Sequence, residues 1–286
     1  MAVRYTARGQ YALTCGRDRT MKLWNPDSGL CIKTYAGHSQ EVLDAAAAPD
    51  NSKIASVSSD KNIMLWDVST GQTLMRYRGH SSKVNCVKFN ADASVLITSS
   101  YDATVKVWDI RSKNRDPIMS MDEAKDDIPT IDVSNHEILS GSVDGSVRIY
   151  DMRAGMMHAD FLKDPVTSVS FSHDTNCILA ATLNSTIRLF DKESGEMLSA
   201  YTGHKNDAYK LDACLAYNDA YVVCGSETGD LCYWDLVQGK TMIHKVQAAH
   251  DSAVVSMSYH PKAHALLTAS TGGQVKVWRR EADAAN

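Results

Sequence analysis

The chain has no surplus of positive charge: over 286 residues, 30 Lys and Arg stand against 34 Asp and Glu, a formal net charge of −4. A phosphate backbone is ordinarily met by clustered Lys and Arg on a strongly basic domain, so direct binding of RNA or DNA is not expected. No apolar run approaches the roughly 20 residues that cross a bilayer, and Met1–Gln10 lacks the long apolar core of a signal peptide. The chain therefore reads as soluble and unsecreted, with no membrane partner. No Cys-x-x-Cys pair occurs, and the seven cysteines are odd in number. That fits reduced thiols of the cytoplasm or nucleus better than a disulfide framework. Cys15, Cys86, Cys177 and Cys224 fall inside apolar strand-like runs, the setting of small core residues. No Pro-rich, Ser-rich or single-charge tract interrupts the chain, so neither a linker nor a second domain is indicated.

Catalytic signatures are missing too. There is no P-loop, no Gly-x-Gly-x-x-Gly, no His-Glu-x-x-His, no kinase set and no Gly-x-Ser-x-Gly elbow. We expect a protein that is not an enzyme, with no catalytic, cofactor-binding or metal-binding residue. His260 and His264 would share one face of a helix, but Pro261 lies between them and the segment reads as a turn. Asp126 and Asp127, next to Lys125, read as a solvated, partner-facing charge cluster rather than an acid/base pair.

What the sequence does have is a repeat. Trp24, Trp66, Trp108, Tyr150, Phe190, Trp234 and Trp278 follow one another at steps of 42, 42, 42, 40, 44 and 44 residues, nearly always with Asp or Asn next. A period of about 40–45 residues with four short β-runs per unit marks a propeller blade. A four-stranded sheet cannot hide both of its own faces, and a closed ring gives every blade two neighbours. The predicted fold is all-β, one seven-bladed propeller over 1–286, with blades at about 1–36, 37–78, 79–121, 122–161, 162–202, 203–247 and 248–286. In the third unit, Lys83–Phe89 alternates apolar and polar, Val95–Ser99 follows a turn, Thr104–Trp108 alternates again, and an outer strand is expected near Pro117–Met121. Ala45–Ala48 alone would favour a helix, but the repeat frame places a strand there.

Within the repeat lies a polar set at fixed offsets: His38, Ser56, Asp60 and Trp66, then His80, Thr98, Asp102 and Trp108. Ser, His and Asp could suggest a hydrolase triad. Recurrence, each copy ending on Trp, speaks instead for a buried network in which the groups satisfy one another. The set resembles the structural tetrad of WD-repeat propellers. Other blades keep fragments: Thr14, Asp18 and Trp24 without a His; Ser140, Asp144 and Tyr150 without a His; Ala180, Asn184 and Phe190; His204 and Trp234 with Cys224 and Thr228; His250, Thr268 and Trp278 with Gly272 in the acid's place. Blades four to seven are expected to open locally before blades two and three.

Several stretches go beyond a generic repeat. LTCGRDRTMKLWNP (13–26), TYAGHSQEVLDAA (34–46), HEILSGSVDGSVRIYDMR (136–153) and GHKNDAYKLDACL (203–215) resemble the mitogen-activated protein kinase organizer 1 family of WD-repeat proteins. The likeness runs over nearly the whole chain, short of an N-terminal extension. It implies a non-catalytic scaffold with protein partners, either splicing factors on the spliceosome or components of a mitogen-activated kinase cascade, in cytoplasm and nucleus, monomeric within larger complexes. WD-repeat relatives usually take the last blade's outer strand from residues ahead of the first inner strand. Here that inner strand begins near Ala2, and RREADAAN (279–286) makes a poor strand. Either the final blade has three strands, with an exposed edge that invites pairing with another chain, or the chain is shortened relative to its relatives.

By repeat position, the residues before each tight-turn Asp and at the start of each inner strand should rim the narrow face of the channel: Arg17, Ser59, Tyr101 and Val143, with Glu41, Lys83 and Asn85. Arg17 and Tyr101 are the expected hot spots, since Arg and aromatics dominate interface energetics. A different role attaches to LITSSYDATVKVWDIR (96–111), whose Trp108, Asp109 and Arg111 resemble the box by which WD-repeat substrate receptors dock onto cullin-based ubiquitin ligases. YDMR (150–153) is a weaker copy.

Overall fold

The computed structural model describes residues 2–216, 218–239 and 241–280. Among them there is no helix, and seven antiparallel sheets follow one another along the chain, spanning 2–36, 42–78, 84–121, 130–161, 166–202, 213–246 and 254–279. Six have four strands in sequential order, and the last has three. Each sheet is one blade, its first strand innermost; the inner strand of blade 1, Ala2–Tyr5, packs beside those of blade 2, Val42–Ala47, and blade 7, Val254–Tyr259, which closes the ring. The alanine run does form a strand. The outer strand of blade 3 is shorter than expected: it covers Met119–Met121, and Pro117 stands just ahead of it.

Apolar residues of each blade's middle strands are packed between it and its neighbour. Blades 1 and 2 share Leu13, Met21, Leu23 and Tyr35 with Ile54, Met64 and Trp66; blades 2 and 3 share Ile63, Leu65 and Tyr77 with Leu96 and Trp108. The outer strand carries the aromatic that reaches across: Tyr35 lies 5.7 Å from Trp66, Tyr77 5.6 Å from Trp108 and Tyr201 6.3 Å from Trp234, ring centre to ring centre. Gly37 and Gly79 pass directly over those indoles, and a Cβ on either would lie 2.9 Å from a Trp ring carbon. The seam between blades 7 and 1 is thinner, with Val3, Tyr5 and Ala12 against Leu267 and Ala269 and only a partly buried Trp24.

That thin seam is reinforced from the axis. Alternate residues of an inner strand point one way, and here they face the channel. Arg4 lies 3.1 Å from Asp44 of blade 2 and 2.8 Å from Asp212 of blade 6, and it also donates to Ser256 of blade 7. Val3 and Tyr5 donate their backbone N–H groups to Ser256 and Ser258. Burial pushes the Asp212 carboxyl upward, but Arg4, Lys210 and the Ser256 hydroxyl more than offset this and hold it at about 2. Farther round, Lys88 pairs with Asp132 at 3.0 Å, and Asp132 accepts the N–H of Phe171 from blade 5.

Removing one partner from a buried ionic cluster strands the others. Arg4→Met, which keeps the aliphatic volume, should cost about 3 kcal/mol of stability, read as a lower urea midpoint at unchanged slope. A loss under about 1 kcal/mol would mean the clamp does not hold the ring.

Candidate functional site: the channel mouth

The two complete tetrads form as closed relays. The indole N–H of Trp66 donates to Ser56 Oγ at 2.8 Å, Ser56 lies 2.8 Å from His38 Nε2, and His38 Nδ1 lies 3.0 Å from Asp60. In blade 3 the same steps run Trp108 to Thr98 at 2.9 Å, Thr98 to His80 at 2.9 Å and His80 to Asp102 at 3.0 Å. The indole can only donate, so the hydroxyl must donate to Nε2 and Nδ1–H to the carboxylate; every polar atom is satisfied by one proton arrangement. Burial raises the Asp60 and Asp102 carboxyls, but imidazole and backbone N–H donors outweigh it and hold both well below the usual range. Ser56 and Thr98 are fully buried, so no substrate carbonyl can reach either hydroxyl. The triad geometry is structural.

Elsewhere the fragments find other partners. Trp24 donates to Thr14 at 2.9 Å while Asp18 turns to Lys22 at 2.8 Å; in blade 4, Arg148 pairs with Asp144 at 2.8 Å; in blade 7, Thr268 joins His250 and Trp278. In blade 6 the Trp234 indole bonds the Thr202 carbonyl, and neither nitrogen of the buried His204 has a partner.

The tetrads support a rim. A recurring bond ties the residue before the tight-turn acid, or its equivalent, to the start of the inner strand: Ser59 N–H to Glu41 O at 3.0 Å, Tyr101 to Lys83 at 3.0 Å, Val143 to Asp127 at 2.8 Å, and Thr271 to Ala253 at 2.9 Å. The six rim residues Ser59, Tyr101, Val143, Glu41, Lys83 and Asn85 are thus carried on these turn and strand-start positions, and Arg17 holds the matching place in blade 1. Not all meet in one pocket. Arg17, Lys83 and Asn85 line a 330 Å³ mouth of the channel with Asp127, Tyr209 and Lys210, above Arg4 and Asp212. Tyr101 stands beside it, 54% exposed, with the Lys83 ammonium 4.6 Å from its ring centre. Glu41, Ser59 and Val143 lie outside the lining of this mouth.

Two residues of the mouth escape repeat logic. Tyr209 is exposed and Lys210 donates to the Pro129 carbonyl at 2.6 Å; both lie on a loop whose N–H groups at 207, 208 and 209 converge on one Glu227 oxygen. Burial works against that carboxylate, but the three donors hold Glu227 below its ordinary value. Asp127 is not free in water as the sequence suggests. Asn85 donates to it at 2.5 Å, and burial raises its carboxyl despite Lys83 and Lys210. The missed signal was the Tyr-Lys-Leu-Asp run at 209–212, which supplies the loop aromatic, the mouth cation and an axial acid together.

His260 sits under Gly9, its ring 5.0 Å from Tyr5 in an edge contact, and accepts the N–H of Lys262; it belongs to the turn before Ala265–Ser270. No group of three or more His, Cys, Asp or Glu side chains able to hold a metal occurs among the described residues. Burial pushes the Cys15 and Cys224 thiols well above the ordinary range and Cys86 up to about 12.

Residues 11–215 match the family described as Nucleolar protein 10-like, N-terminal domain, and residues 241–279 match the WD domain, G-beta repeat. The chain is 53% identical over 281 residues to WD repeat domain-containing protein 83 of Homo sapiens, covering 98% of this chain and 88% of the relative. It is 55% identical over 280 residues to the Danio rerio protein of the same name, again 98% and 88%. An uncharacterized WD repeat-containing protein of Schizosaccharomyces pombe is 42% identical over 277 residues, 97% of this chain and 93% of that one.

His204 gives a pH test of the incomplete network in blade 6. Burial lowers its imidazole to about 4, so the fold holds it neutral while the unfolded chain takes a proton below about 6.5. Its contribution is fully present above pH 6.5 and is lost as pH falls toward 4, by about 3 kcal/mol at the end of that window. His204→Phe should flatten the stability profile between these values; an unchanged profile would show that the ring is not held neutral.

Proposed function

The chain belongs to the WD repeat domain-containing protein 83 family, and from that premise we propose that it is a non-enzymatic scaffold whose channel mouth docks proteins of the splicing machinery, of a mitogen-activated kinase cascade, or of both, in nucleus and cytoplasm. One observation carries the docking part: Arg17, Lys83 and the exposed Tyr101 and Tyr209 crowd one rim of a ring with a fixed backbone. Rigid presentation of aromatic and Arg side chains lowers the ordering cost of recognition. The assignment to splicing or kinase assemblies rests on the family likeness.

A second reading, receptor for a cullin-based ligase, has one observation in its favour. Trp108 is fully buried while the Arg111 side chain is 71% exposed, with Asp109 3.5 Å away. An anchored strand end that leaves its guanidinium in water suits an adaptor contact.

Affinity purification from native cells separates these readings. We expect splicing factors or kinase-cascade components to co-purify, and the double variant Arg17→Glu, Tyr101→Ala to reduce their recovery at least about tenfold while the protein stays folded. Recovery of neither set would remove the scaffold assignment. Capture of the ligase adaptor, lost with Arg111→Ala, would replace it.

A further inference from the structure

Positive charge at the channel mouth is in excess and unspent. Within the channel the cations have acids: Arg4 reaches Asp44 and Asp212, and Lys88 lies 3.0 Å from Asp132. At the mouth that pattern stops. The Lys83 ammonium rests over the Tyr101 ring, 4.6 Å from its centre, and the Lys210 ammonium donates to an uncharged acceptor, the Pro129 carbonyl, at 2.6 Å. Neither of them, nor the exposed Arg17, forms an ion pair among the described residues. The acid that lines the mouth above the axis, Asp127, is turned to Asn85, which donates to it at 2.5 Å. Three cations thus stand against one carboxylate at this opening, in a chain whose formal net charge is −4.

An anion is drawn here and no deeper, because the axis below holds Arg4 between two acids. Charge, volume and direction narrow what it can be. Three cations over one acid leave an excess of two, which a phosphate monoester, at about −1.5 to −2 near pH 7, neutralises. A mouth of 330 Å³ lies at the small end of ligand pockets and has room for one side-chain head group. Neighbouring side chains of an extended segment point to opposite sides, so two adjacent carboxylates cannot both enter. Both charges have to arrive on one side chain, and cations placed at the rim are within reach of a short one. A nucleic-acid backbone presents its phosphates in a row to a track of cations, whereas Arg17, Lys83 and Lys210 surround a single opening. Tyr101 and Tyr209, 54% and 49% exposed, offer ring faces and hydroxyl donors to the residues beside the phosphate.

Building on the docking role given to this mouth, we propose that it is a receptor for one phosphorylated serine or threonine of an extended partner segment. Arg17 and the two ammonium groups hold the phosphate oxygens, the guanidinium by two parallel N–H donors. Lys210 is brought to the site by Glu227, one of whose oxygens takes the N–H groups at 207, 208 and 209 at 2.8, 2.6 and 2.9 Å. Glu227 is therefore a positioning residue. Asp127 opposes the phosphate, being the like charge at the same level.

The test uses the whole protein on an array of short random peptides, each present with a central phosphoserine, phosphothreonine, serine, glutamate or Glu-Glu pair, and a short random RNA as a further probe. We expect phosphorylated peptides to bind at least about tenfold more tightly than their matched forms or the RNA, with an affinity that falls as salt rises. Arg17→Met, Lys83→Met and Lys210→Met should each weaken them about fivefold or more, and Asp127→Asn should tighten them. Lys113→Met, an exposed cation outside the mouth, should change nothing, with the urea midpoint of every variant confirming its fold. Phosphatase treatment of a native-cell extract should also remove most of what co-purifies. Partners that persist after dephosphorylation yet are lost with Arg17→Glu, Tyr101→Ala would leave the docking role standing and overturn this proposal. Recovery indifferent to both treatments would overturn the docking role and the proposal together. Glutamate binding as well as phosphate, tighter binding of RNA, or binding indifferent to the three methionine variants would equally overturn it.

Discussion

A four-stranded β-sheet with two apolar faces has to find two covers, and nearly every feature of this molecule follows from how they are supplied. Blades 1, 2 and 5 each lend the next blade a tyrosine from the outer strand. Tyr35, Tyr77 and Tyr201 against Trp66, Trp108 and Trp234 are the visible form of that exchange. An aromatic pair of this kind adds roughly 0.5–1.5 kcal/mol to the area it removes from water. Glycine is needed at 37 and 79 because the chain must cross an indole at contact distance, and the His that follows then falls within reach of a hydroxyl and an acid. Packing comes first, and the polar relay locks what packing has placed.

Much of this was legible beforehand. The aromatic period gave seven blades, the offsets gave two complete relays, and the shortage of strand-forming residues after Trp278 gave a three-stranded final sheet, although residues 281–286 of that tail lie outside the described residues. These signals are local or periodic, so the eye can align them. The channel mouth was half legible. Repeat position located Arg17, Lys83 and Asn85, but Glu41, Ser59 and Val143 hold equivalent places without lining it. Tyr209 and Lys210 come from a loop held by Glu227, a contact that no period announces. Arg4 was invisible for a different reason: its partners are 40 and 208 residues away, and although Asp44 and Asp212 each stand 22 residues ahead of their blade's tryptophan, nothing in the repeat announces that one cation at the axis meets both.

The guanidinium at position 4 also constrains how the molecule is made. Its acidic partner in blade 6 is encoded 208 residues later, and a ribosome adding roughly 5–20 residues per second needs on the order of ten seconds or more to deliver it. Through that interval the nascent first blade has one free flank, and only a long-range encounter, with its loop-closure entropy still to be overcome, can shut the circle. Assembly of the disc is therefore a late, cooperative event, and a chain released before blade 6 has emerged would be left as an open arc.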